Sequence, residues 1–386
     1  MYDLTSFQIL DYHNSMLSDE ARLTSYLKAI LQTVQAGDLV LDIGSGTGIL
    51  TYFACMAGAQ HVYAVEQGPV INLARQICRE NGLEERITFI KSWSHEIELP
   101  EPVDVVITET IGNAGFEEGI LGWIFDARKR HLKPGGQIIP SRLALWIVPV
   151  EIPREYDFID SWSEEQFTFN YAAAHTLAAN NLHYISLSTK QMMAESACIF
   201  QFNLAEDEAN DFEGVVTFTA ARDGCIHGIG GWFQAEICPG ILLSNQPPNQ
   251  VPSWHHVLFP LTRPVQVMKD EQVRVAIKSQ ANATHWQWRA DLPYKDLTNG
   301  ISHSTQLEWS QSTQKGSLYR LNGNSNQAFK PIRTLEAEVD LFILQAMDGN
   351  TSVSQLADIV AAKFPALLPT PETAASRIQL LIESYE

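Results

Sequence analysis

The sequence predicts an α/β fold: a Rossmann-like, doubly wound domain comes first, an antiparallel β-barrel or sandwich domain with a helical arm follows, and a small helical domain ends the chain. Two patterns predict this order. Short apolar runs alternate with helical segments in the first part of the chain, which is typical of a parallel sheet covered by helices. Short β-rich segments between turn residues then replace that alternation, before helical periodicity returns. With 386 residues the chain can form two or three domains.

The first domain is predicted from strands and helices in alternation. Apolar residues in the stretch 23–34 lie on one helical stripe, which places a helix ahead of the first strand. Two later helices have natural ends at Gly58 and at Asn81-Gly82, because glycine and asparagine suit a helix C-terminus. We expect strands at residues 40–43, 61–65, 87–90, 103–108 and 137–140, and helices at 23–34, 49–57, 71–79 and 119–132.

The later domains follow from a change of pattern after about residue 142. Turn-separated β segments are typical of an antiparallel sandwich or barrel, and the alanine-rich stretch 171–181 interrupts them as a helical excursion. From Leu335 three short helices follow, where eight acids against two basic residues favour a peptide or protein contact over DNA. We expect three domains: residues 1–141, residues 142–333 with the excursion at about 160–182, and a winged-helix-like domain at 334–386.

The chain is organised around residues 39–50, where an apolar strand runs into a loop with glycine at every second position. The glycines of this loop are Gly44, Gly46 and Gly48. Without a Cβ, they let the backbone turn tightly and approach a ligand. A dinucleotide fingerprint would need glycine at position 49, but Ile49 stands there and Asp42 precedes the loop, so a nicotinamide cofactor is disfavoured.

A second acid follows the next strand. Glu66 comes directly after the apolar run 61–65, where its carboxylate can accept hydrogen bonds from both hydroxyls of a ribose. An acid at this position, together with the D-x-G-x-G-x-G loop, fits an adenosine ligand that lacks a pyrophosphate. S-adenosylmethionine is the common ligand of that description, so we predict this cofactor and no metal.

Composition limits the partners and the compartment. The chain has 26 basic and 45 acidic residues, a formal charge of −19, which disfavours nucleic acid and anionic membranes and favours a cationic partner. Its 5 cysteines are scattered without a C-x-x-C pair, so we expect reduced thiols rather than a metal site or disulfides. The sequence has neither a signal peptide pattern nor an apolar run long enough for a membrane span, which predicts a cytoplasmic protein.

These motifs, in their order from Met16 to Val150, resemble those of the protein arginine methyltransferases. The resemblance implies that Met16 and Arg22, on a helix ahead of the sheet, contact the cofactor and that Arg22 pairs with its methionine carboxylate. Ser94 and His95 fall where the family holds the adenine, with His95 in place of an acid. The cofactor-binding residues expected from the loop and the second strand are Asp42, Gly44, Gly46, Gly48, Ile49, Leu50 and Glu66.

The most specific match follows the fourth strand, where Glu109 and Glu118 are spaced as in the family's double-glutamate hairpin. A guanidinium keeps its charge at physiological pH and is a poor nucleophile, because its lone pairs are delocalised. Two carboxylates can hold it, draw its charge to one end and aim the remaining nitrogen at the sulfonium methyl. The resemblance therefore implies that Glu109 and Glu118 are catalytic, whereas the spacing disfavours the neighbouring candidate Glu117.

The β-domain resembles that of the family less closely, and its acceptor loop is altered. The family carries a threonine-histidine-tryptophan motif there, but Pro252 and Ser253 replace the first two residues and only Trp254 is kept. Trp254 and His255 are therefore our acceptor-site candidates, and His255 or His256 could supply the missing imidazole.

Four other segments bear on the resemblance. A literal threonine-histidine-tryptophan sequence at 284–286 comes too late in the chain to be the acceptor loop. The family's N-terminal lid tyrosines would fall at Asp3 and Phe7, so their hydroxyls are absent. The excursion at about 160–182 falls where the family places its dimerisation arm, which implies a homodimer. Residues 335–386 have no counterpart in the family's catalytic core and resemble small peptide-binding winged-helix modules.

The leading hypothesis is an S-adenosylmethionine-dependent N-methyltransferase that acts on an arginine guanidino nitrogen of a peptide or protein. Free arginine or another small guanidino compound is the first alternative, because the acceptor loop is altered and the lid is missing. The second is a cofactor-binding adaptor with weak turnover, which the altered loop motivates and the intact glutamate pair opposes. An O-methyltransferase of a small molecule is disfavoured, since two carboxylates would repel an anionic acceptor.

Overall fold

The computed structural model describes residues 6–163, 165–166, 168–248, 253–282, 285–295, 304–313 and 335–385. They belong to two compact units, one within residues 1–322 and one within residues 323–386. Among the described residues, the first unit contains a five-stranded parallel sheet with its helices and antiparallel sheets of six, four and two strands, and the second unit contains three helices. None of the described helices combines the length and the apolar character needed to cross a membrane.

The first part of the chain forms a five-stranded parallel sheet flanked by helices. Its strands are β1 (Leu39–Ile43), β2 (His61–Val65), β3 (Ile87–Ile90), β4 (Val103–Thr108) and β5 (Leu132–Ile139). Its helices are α1 (Ser6–Leu17), α2 (Glu20–Thr33), α3 (Ile49–Ala57), α4 (Ile71–Glu80) and α5 (Ile120–Arg130). The order β3-β2-β1-β4-β5 reverses direction beside β1, so the doubly wound fold is confirmed and a ligand is expected at the carboxyl ends of β1 and β4.

Two details differ from the expected elements. The helix expected at 23–34 is α2, but Met16 and Arg22, expected together on one helix ahead of the sheet, lie on α1 and α2. The two helices are separate because buried Asp19 caps α2 by accepting a hydrogen bond from the Arg22 backbone N–H. Strand β5 begins at Leu132, ahead of the expected start at Gln137. Its pairing with β4 shifts register between Leu132 and Gln137, so the Lys-Pro-Gly-Gly segment is an irregularity within the strand rather than a turn before it.

The β-domain consists of antiparallel sheets, as expected. Its strands are β6 (Arg142–Val150), β7 (Glu165–Gln166), β8 (Phe169–Asn170), β9 (His183–Ile185), β10 (Ala197–Asn203), β11 (Asp211–Thr219), β12 (Gly224–Cys238), β13 (Ile241–Ser244), β14 (His256–Val267), β15 (Gln272–Gln280), β16 (Gln287–Lys295) and β17 (Ser304–Ser312). One sheet has the order β10-β6-β12-β14-β9 with β13 beside β12, and the other has the order β11-β15-β16-β17. Rings from both sheets meet between them, as Phe259 and Trp288 do with centroids 5.7 Å apart.

The helical excursion, expected at about 160–182, begins earlier: α6 (Pro153–Asp160) precedes the short β7–β8 hairpin and α7 (Ala172–Ala178). We call the segment from α6 to α7 the arm. The second unit contains α8 (Leu335–Ala346), α9 (Val353–Lys363) and α10 (Pro371–Tyr385). These three helices bury a core of their own that includes Val339, Ile343 and Ile378. Ser352 and Gln355 form a capping box at the start of α9, and Pro371 is the first residue of α10, as its sequence predicts.

Candidate active site

A cavity of about 530 Å³ opens at the carboxyl ends of β1 and β4. The sequence-predicted residues that line it are Met16, Arg22, Gly44, Gly46, Ile49, Leu50, Glu66, Ser94, Glu109 and Glu118. They come from five separate parts of the chain, and the parallel sheet brings them together because its strands all end at one edge. Asp42, Gly48, His95, Trp254 and His255 lie nearby but do not line the cavity.

The glycine loop has a backbone that other residues would not adopt. Gly44, Gly46 and Gly48 all have positive φ, at +72°, +54° and +90°. A Cβ on Gly46 would lie 2.9 Å from the His13 ring, and one on Gly48 would lie 2.8 Å from the Tyr52 ring. The loop can therefore follow this path, with α1 close above it, only with glycine at these positions.

Glu66 holds the loop through its carboxylate. One oxygen accepts a hydrogen bond from the Gly46 backbone N–H at 3.1 Å, and the other accepts one from the Gly68 N–H at 2.6 Å. Burial raises the pKa of this carboxyl, and the backbone hydrogen bonds oppose that shift. Each Glu66 oxygen accepts one backbone N–H here, and the same two oxygens can accept hydrogen bonds from the two hydroxyls of a ribose.

Asp42 has a structural position beneath the loop. It is fully buried, and one oxygen accepts a hydrogen bond from the Thr51 hydroxyl at 2.6 Å, which joins β1 to α3. Its other oxygen has no hydrogen-bond partner among the described residues. Burial raises the pKa of Asp42 to about 7, against the effect of the Thr51 hydrogen bonds. This carboxyl therefore joins the end of β1 to α3 beneath the glycine loop, and it does not line the cavity.

One of the two predicted catalytic acids already forms an ion pair with an arginine of the chain. The Arg22 guanidinium forms an ion pair with Glu109, and the two side chains are only 12% and 7% exposed. The same guanidinium lies over the Trp254 ring, 5.0 Å from its centroid. Burial lowers the pKa of Arg22, although its neighbours Tyr26 and Tyr12 oppose that shift. The cavity thus holds a guanidinium group between a carboxylate and an aromatic face.

The two neighbouring glutamates of the hairpin point in different directions. Glu118 lines the cavity, and burial raises the pKa of its carboxyl while the charge of Arg22 lowers it. Both oxygens of Glu117 instead accept from the Ala114 backbone N–H, at 2.8 and 2.9 Å, inside the hairpin. Burial raises the pKa of Glu117 to about 7. Of the two, Glu118 is therefore the side chain that can face a ligand together with Glu109.

The altered acceptor loop forms hydrogen bonds with the double-glutamate hairpin that follows β4. The Trp254 indole N–H donates to the Ile111 carbonyl at 2.7 Å, and the His255 backbone N–H donates to the Asn113 side-chain oxygen at 2.6 Å. The Ser253 N–H donates to the second oxygen of Asp19, so the α2 cap is joined to this loop. Trp254 is buried in this arrangement, and Pro252 lies outside the described residues.

The two histidines of this loop have no place in the cavity wall. His256 is buried, where its Nδ1 accepts from the Leu187 backbone N–H at 2.9 Å. His255 is exposed and contacts the hairpin through its backbone. Neither imidazole therefore lines the cavity.

Sequence reasoning missed several aromatic residues that line the cavity: Tyr12, His13, Trp93 and Trp123. Tyr12 and His13 occupy the last turns of α1, over the glycine loop, whereas the expected lid position Phe7 is 70% exposed and Asp3 lies outside the described residues. His95 stacks on Trp123 with centroids 5.8 Å apart. The four missed residues all lie within five positions of a predicted site residue, and this proximity is the signal that could have pointed to them.

Two known protein families match parts of this chain. The family described as the PRMT5 oligomerisation domain matches residues 144–318, and the family described as ribosomal protein L11 methyltransferase matches residues 24–144. Protein arginine N-methyltransferase 6 of Xenopus tropicalis is 30% identical over 276 residues, which cover 68% of this chain and 81% of that protein. Protein arginine N-methyltransferase 6 of Danio rerio is 30% identical over 304 residues, with 74% and 87% covered.

Two solved structures share the fold. The Trypanosoma brucei PRMT1 enzyme-prozyme heterotetrameric complex with AdoHcy superposes with a TM-score of 0.69 at 22% identity, covering 78% of this chain and 97% of that chain. Arabidopsis thaliana protein arginine methyltransferase 10 superposes with a TM-score of 0.65 at 21% identity, covering 79% and 99%. At this identity the similarity establishes the common architecture of sheet domain and β-domain.

Proposed function

The chain belongs to the protein arginine N-methyltransferase family, and on this premise we propose that Glu109 and Glu118 hold an arginine guanidinium of a peptide or protein for methylation. S-adenosylmethionine is the methyl donor. The observation that carries this proposal is the pairing of Glu109 with the Arg22 guanidinium in a cavity that Glu118 also lines. A site with two acids and a bound guanidinium favours a cationic acceptor of that chemistry.

The donor is expected to occupy the cavity from the glycine loop to the turn after β3. Glu66 would accept hydrogen bonds from the ribose hydroxyls in place of its backbone partners, and Ser94, which also lines the cavity, would contact the adenine. Arg22 has five N–H donors, so it can bind the methionine carboxylate and still contact Glu109. When Arg22 also pairs with the donor carboxylate, it neutralises less of the negative charge of Glu109, and Glu109 can then bind the acceptor guanidinium.

The reaction is an in-line displacement at the sulfonium methyl. A guanidino nitrogen attacks the methyl carbon, the carbon–sulfur bond breaks, and the electron pair of that bond stays on sulfur to give neutral S-adenosylhomocysteine. The attacking nitrogen then loses its proton, and the methylated guanidinium keeps its single positive charge. Glu118 suits this step, because burial raises the pKa of its carboxyl and so makes it a better proton acceptor than an exposed glutamate. Positioning and electrostatics supply most of the acceleration.

A labelled-methyl assay tests the acceptor class. We expect transfer from S-adenosylmethionine to arginine-containing peptides, and far less to peptides in which lysine replaces arginine. Transfer to free arginine at equal efficiency would favour the small guanidino alternative. Residues outside the clamp, as we call the pair Glu109 and Glu118, would then contribute nothing to acceptor recognition. Tight donor binding without transfer to any guanidino compound would favour the adaptor alternative.

We further propose that the protein is a homodimer and works in the cytoplasm. Four aromatic side chains on the arm are exposed: Phe158, Trp162, Phe169 and Tyr171. Several exposed aromatic side chains on one segment are typical of an interface, and we take a second copy of the chain as the occupant. All five cysteines are free thiols, which suits a reducing compartment.

A further inference from the structure

Three aromatic rings meet at the end of the cavity between the turn after β3 and the start of α5. We call Trp93, His95 and Trp123 the ring cluster. The Trp93 and Trp123 rings have centroids 5.7 Å apart and planes inclined by 24°, and the His95 and Trp123 planes are inclined by only 14°. Both indoles line the cavity. Stacked indole rings at a cavity wall offer aromatic faces and edges on which a purine can pack.

Trp123 also contacts the hairpin that carries the acceptor carboxylates. Its indole N–H donates a hydrogen bond to the Glu118 backbone carbonyl at 3.0 Å. Gly119, between Glu118 and the helix, has φ at +80°, and a Cβ there would lie 3.4 Å from the indole nitrogen. The indole therefore packs directly on the turn after Glu118, and its orientation bears on the position of that residue.

The other end of α5 is joined to the turn after β3. The Arg130 guanidinium donates to the Ser94 carbonyl at 2.8 Å and to the Ile97 carbonyl at 2.7 Å. Asp126, one helical turn earlier, pairs with Arg130 and fixes its direction. Helix α5 thus connects two places that the proposed reaction uses, the turn beside the adenine position and the backbone of Glu118.

We propose that Trp123 is a positioning residue that couples donor binding to the placement of Glu118. The inference rests on the proposed function, because it takes the cavity as the donor site and Glu118 as an acceptor carboxylate. A purine packed on the ring cluster restricts the Trp123 indole. The restricted indole then holds the Glu118 carbonyl through its N–H, so the carboxylate is best ordered when the donor is present.

The test uses Trp123→Phe, which keeps an aromatic face and removes the indole N–H donor. We expect the affinity for S-adenosylhomocysteine, measured by calorimetry, to stay within about twofold, because stacking persists. We expect kcat/KM for an arginine peptide to fall roughly tenfold, the effect of one lost hydrogen bond in the transition state. An unchanged kcat/KM for the peptide would overturn the inference.

Trp288→Phe is the matched control. The Trp288 indole N–H donates to the Pro260 carbonyl at 2.8 Å within the β-domain, away from the cavity. This substitution removes the same kind of hydrogen bond from a buried tryptophan, so it reports the cost of a lost indole donor to stability. We expect kcat/KM per folded molecule to equal that of the wild type.

Hydrogen exchange separates this inference from the proposed function. With S-adenosylhomocysteine bound, amides in residues 112–119 should exchange more slowly in the wild type, and this protection should be lost in Trp123→Phe. Loss of protection in a protein that methylates no guanidino compound would refute the proposed function and support the coupling. Equal protection in both proteins, with normal methyl transfer in the wild type, would refute the coupling alone.

Discussion

At the scale of single residues, charge explains why this cavity suits a guanidinium. Glu109 and Glu118 both line the cavity, and the buried Arg22 contributes the compensating positive charge. An unpaired carboxylate in such surroundings is costly, so each acid is stabilised by a nearby cation. A second guanidinium, from the acceptor, would complete that neutralisation when the donor carboxylate engages Arg22.

Replacing either acid by its amide should remove most of the activity. Glu109→Gln and Glu118→Gln keep the shape of the side chain but lose the charge that localises the guanidinium cation. We expect kcat/KM for an arginine peptide to fall roughly 100-fold or more in each variant. Steady-state kinetics check this, with Glu98→Gln as control because that side chain is 90% exposed. Activity within about twofold of the wild type in either variant would exclude that acid from the clamp.

The pH dependence of stability should reflect Glu117. Its pKa is raised from 4.5 to about 7, so the folded state binds more protons than the unfolded chain between these values. The free energy of unfolding should therefore fall as pH rises through that window, by up to about 1.4 kcal/mol per pH unit for this one group. Glu117→Gln does not titrate and retains a carbonyl acceptor for the Ala114 N–H, so its dependence should be flatter.

Denaturant unfolding of both proteins at several pH values within that window measures this difference. Asp42, with a pKa raised to about 7, titrates in both proteins, so a residual slope is expected in the variant. Identical slopes in variant and wild type would mean that Glu117 ionises normally in the folded protein.

Residue-level prediction from the sequence succeeded where a motif imposes its own geometry. The glycines of the loop need positive φ, and Glu118 faces the cavity as its spacing from Glu109 indicates. Trp93 and Trp123 were not identified from the sequence, because a tryptophan close to a motif is more often a core residue than part of a ligand site. Only the assembled sheet edge brings these two rings to one wall.

At the scale of elements, the hairpin after β4 depends on neighbours from distant parts of the chain. Trp254 and His255 hold its Ile111 and Asn113 from the acceptor loop, and Trp123 holds the carbonyl of Glu118 from α5. The loop therefore supports the clamp even though its histidines do not enter the cavity. We therefore expect the altered loop sequence to affect the position of the hairpin more than direct contact with an acceptor.

Removing the Asp19 carboxylate should affect both protein stability and donor binding, which is more than the loss of a helix cap alone would do. It is fully buried and accepts hydrogen bonds from the Arg22 N–H and the Ser253 N–H. Asp19→Ala should lower the free energy of unfolding by about 2 kcal/mol and also weaken donor binding, because α2 carries Arg22. Denaturation and calorimetry measure both effects.

Asp38→Ala is the comparison for this prediction, because Asp38 accepts a single exposed backbone hydrogen bond from Gln35. We expect a loss below about 1 kcal/mol and normal donor affinity in that variant. If Asp19→Ala behaves like Asp38→Ala, the connection between the cap and the acceptor loop has no energetic weight.

Element boundaries were predictable where glycine or a cap ends a helix, as at Gly58 after α3. They were not predictable where tertiary pairing overrides local preference. The Lys-Pro-Gly-Gly segment reads as a turn, yet pairing with β4 draws it into β5 as an irregular strand. The break between α1 and α2 likewise depends on Asp19, whose second partner lies in the β-domain.

At the scale of the whole molecule, the order of domains was predictable and the assembly was not. Each unit buries an apolar core, and binary patterning alone indicates where such cores occur. The sequence of the arm, however, does not reveal which side chains remain uncovered after folding. Phe158 and Phe169, at 66% and 67% exposed, are identified only once the chain is folded.

The arm gives a direct prediction of oligomeric state. We expect the wild type to have twice the mass of the 43.1 kDa chain in solution and the double variant Phe158→Ser with Phe169→Ser to be largely monomeric. Light scattering after gel filtration measures this. Leu380→Ser, an exposed apolar change in the helical unit, should leave the dimer intact. A double variant that remains dimeric would place the interface elsewhere.

The central claim is that Glu109 and Glu118 present a guanidino nitrogen to S-adenosylmethionine. The most direct test is tandem mass spectrometry of a peptide that contains one arginine, one lysine and one histidine, after incubation with the enzyme and the donor. The account predicts methyl groups on the guanidino nitrogens of arginine alone, and loss of that product in Glu118→Gln. Methylation of lysine or histidine with arginine unmodified, or arginine methylation unaffected by Glu118→Gln, would contradict it.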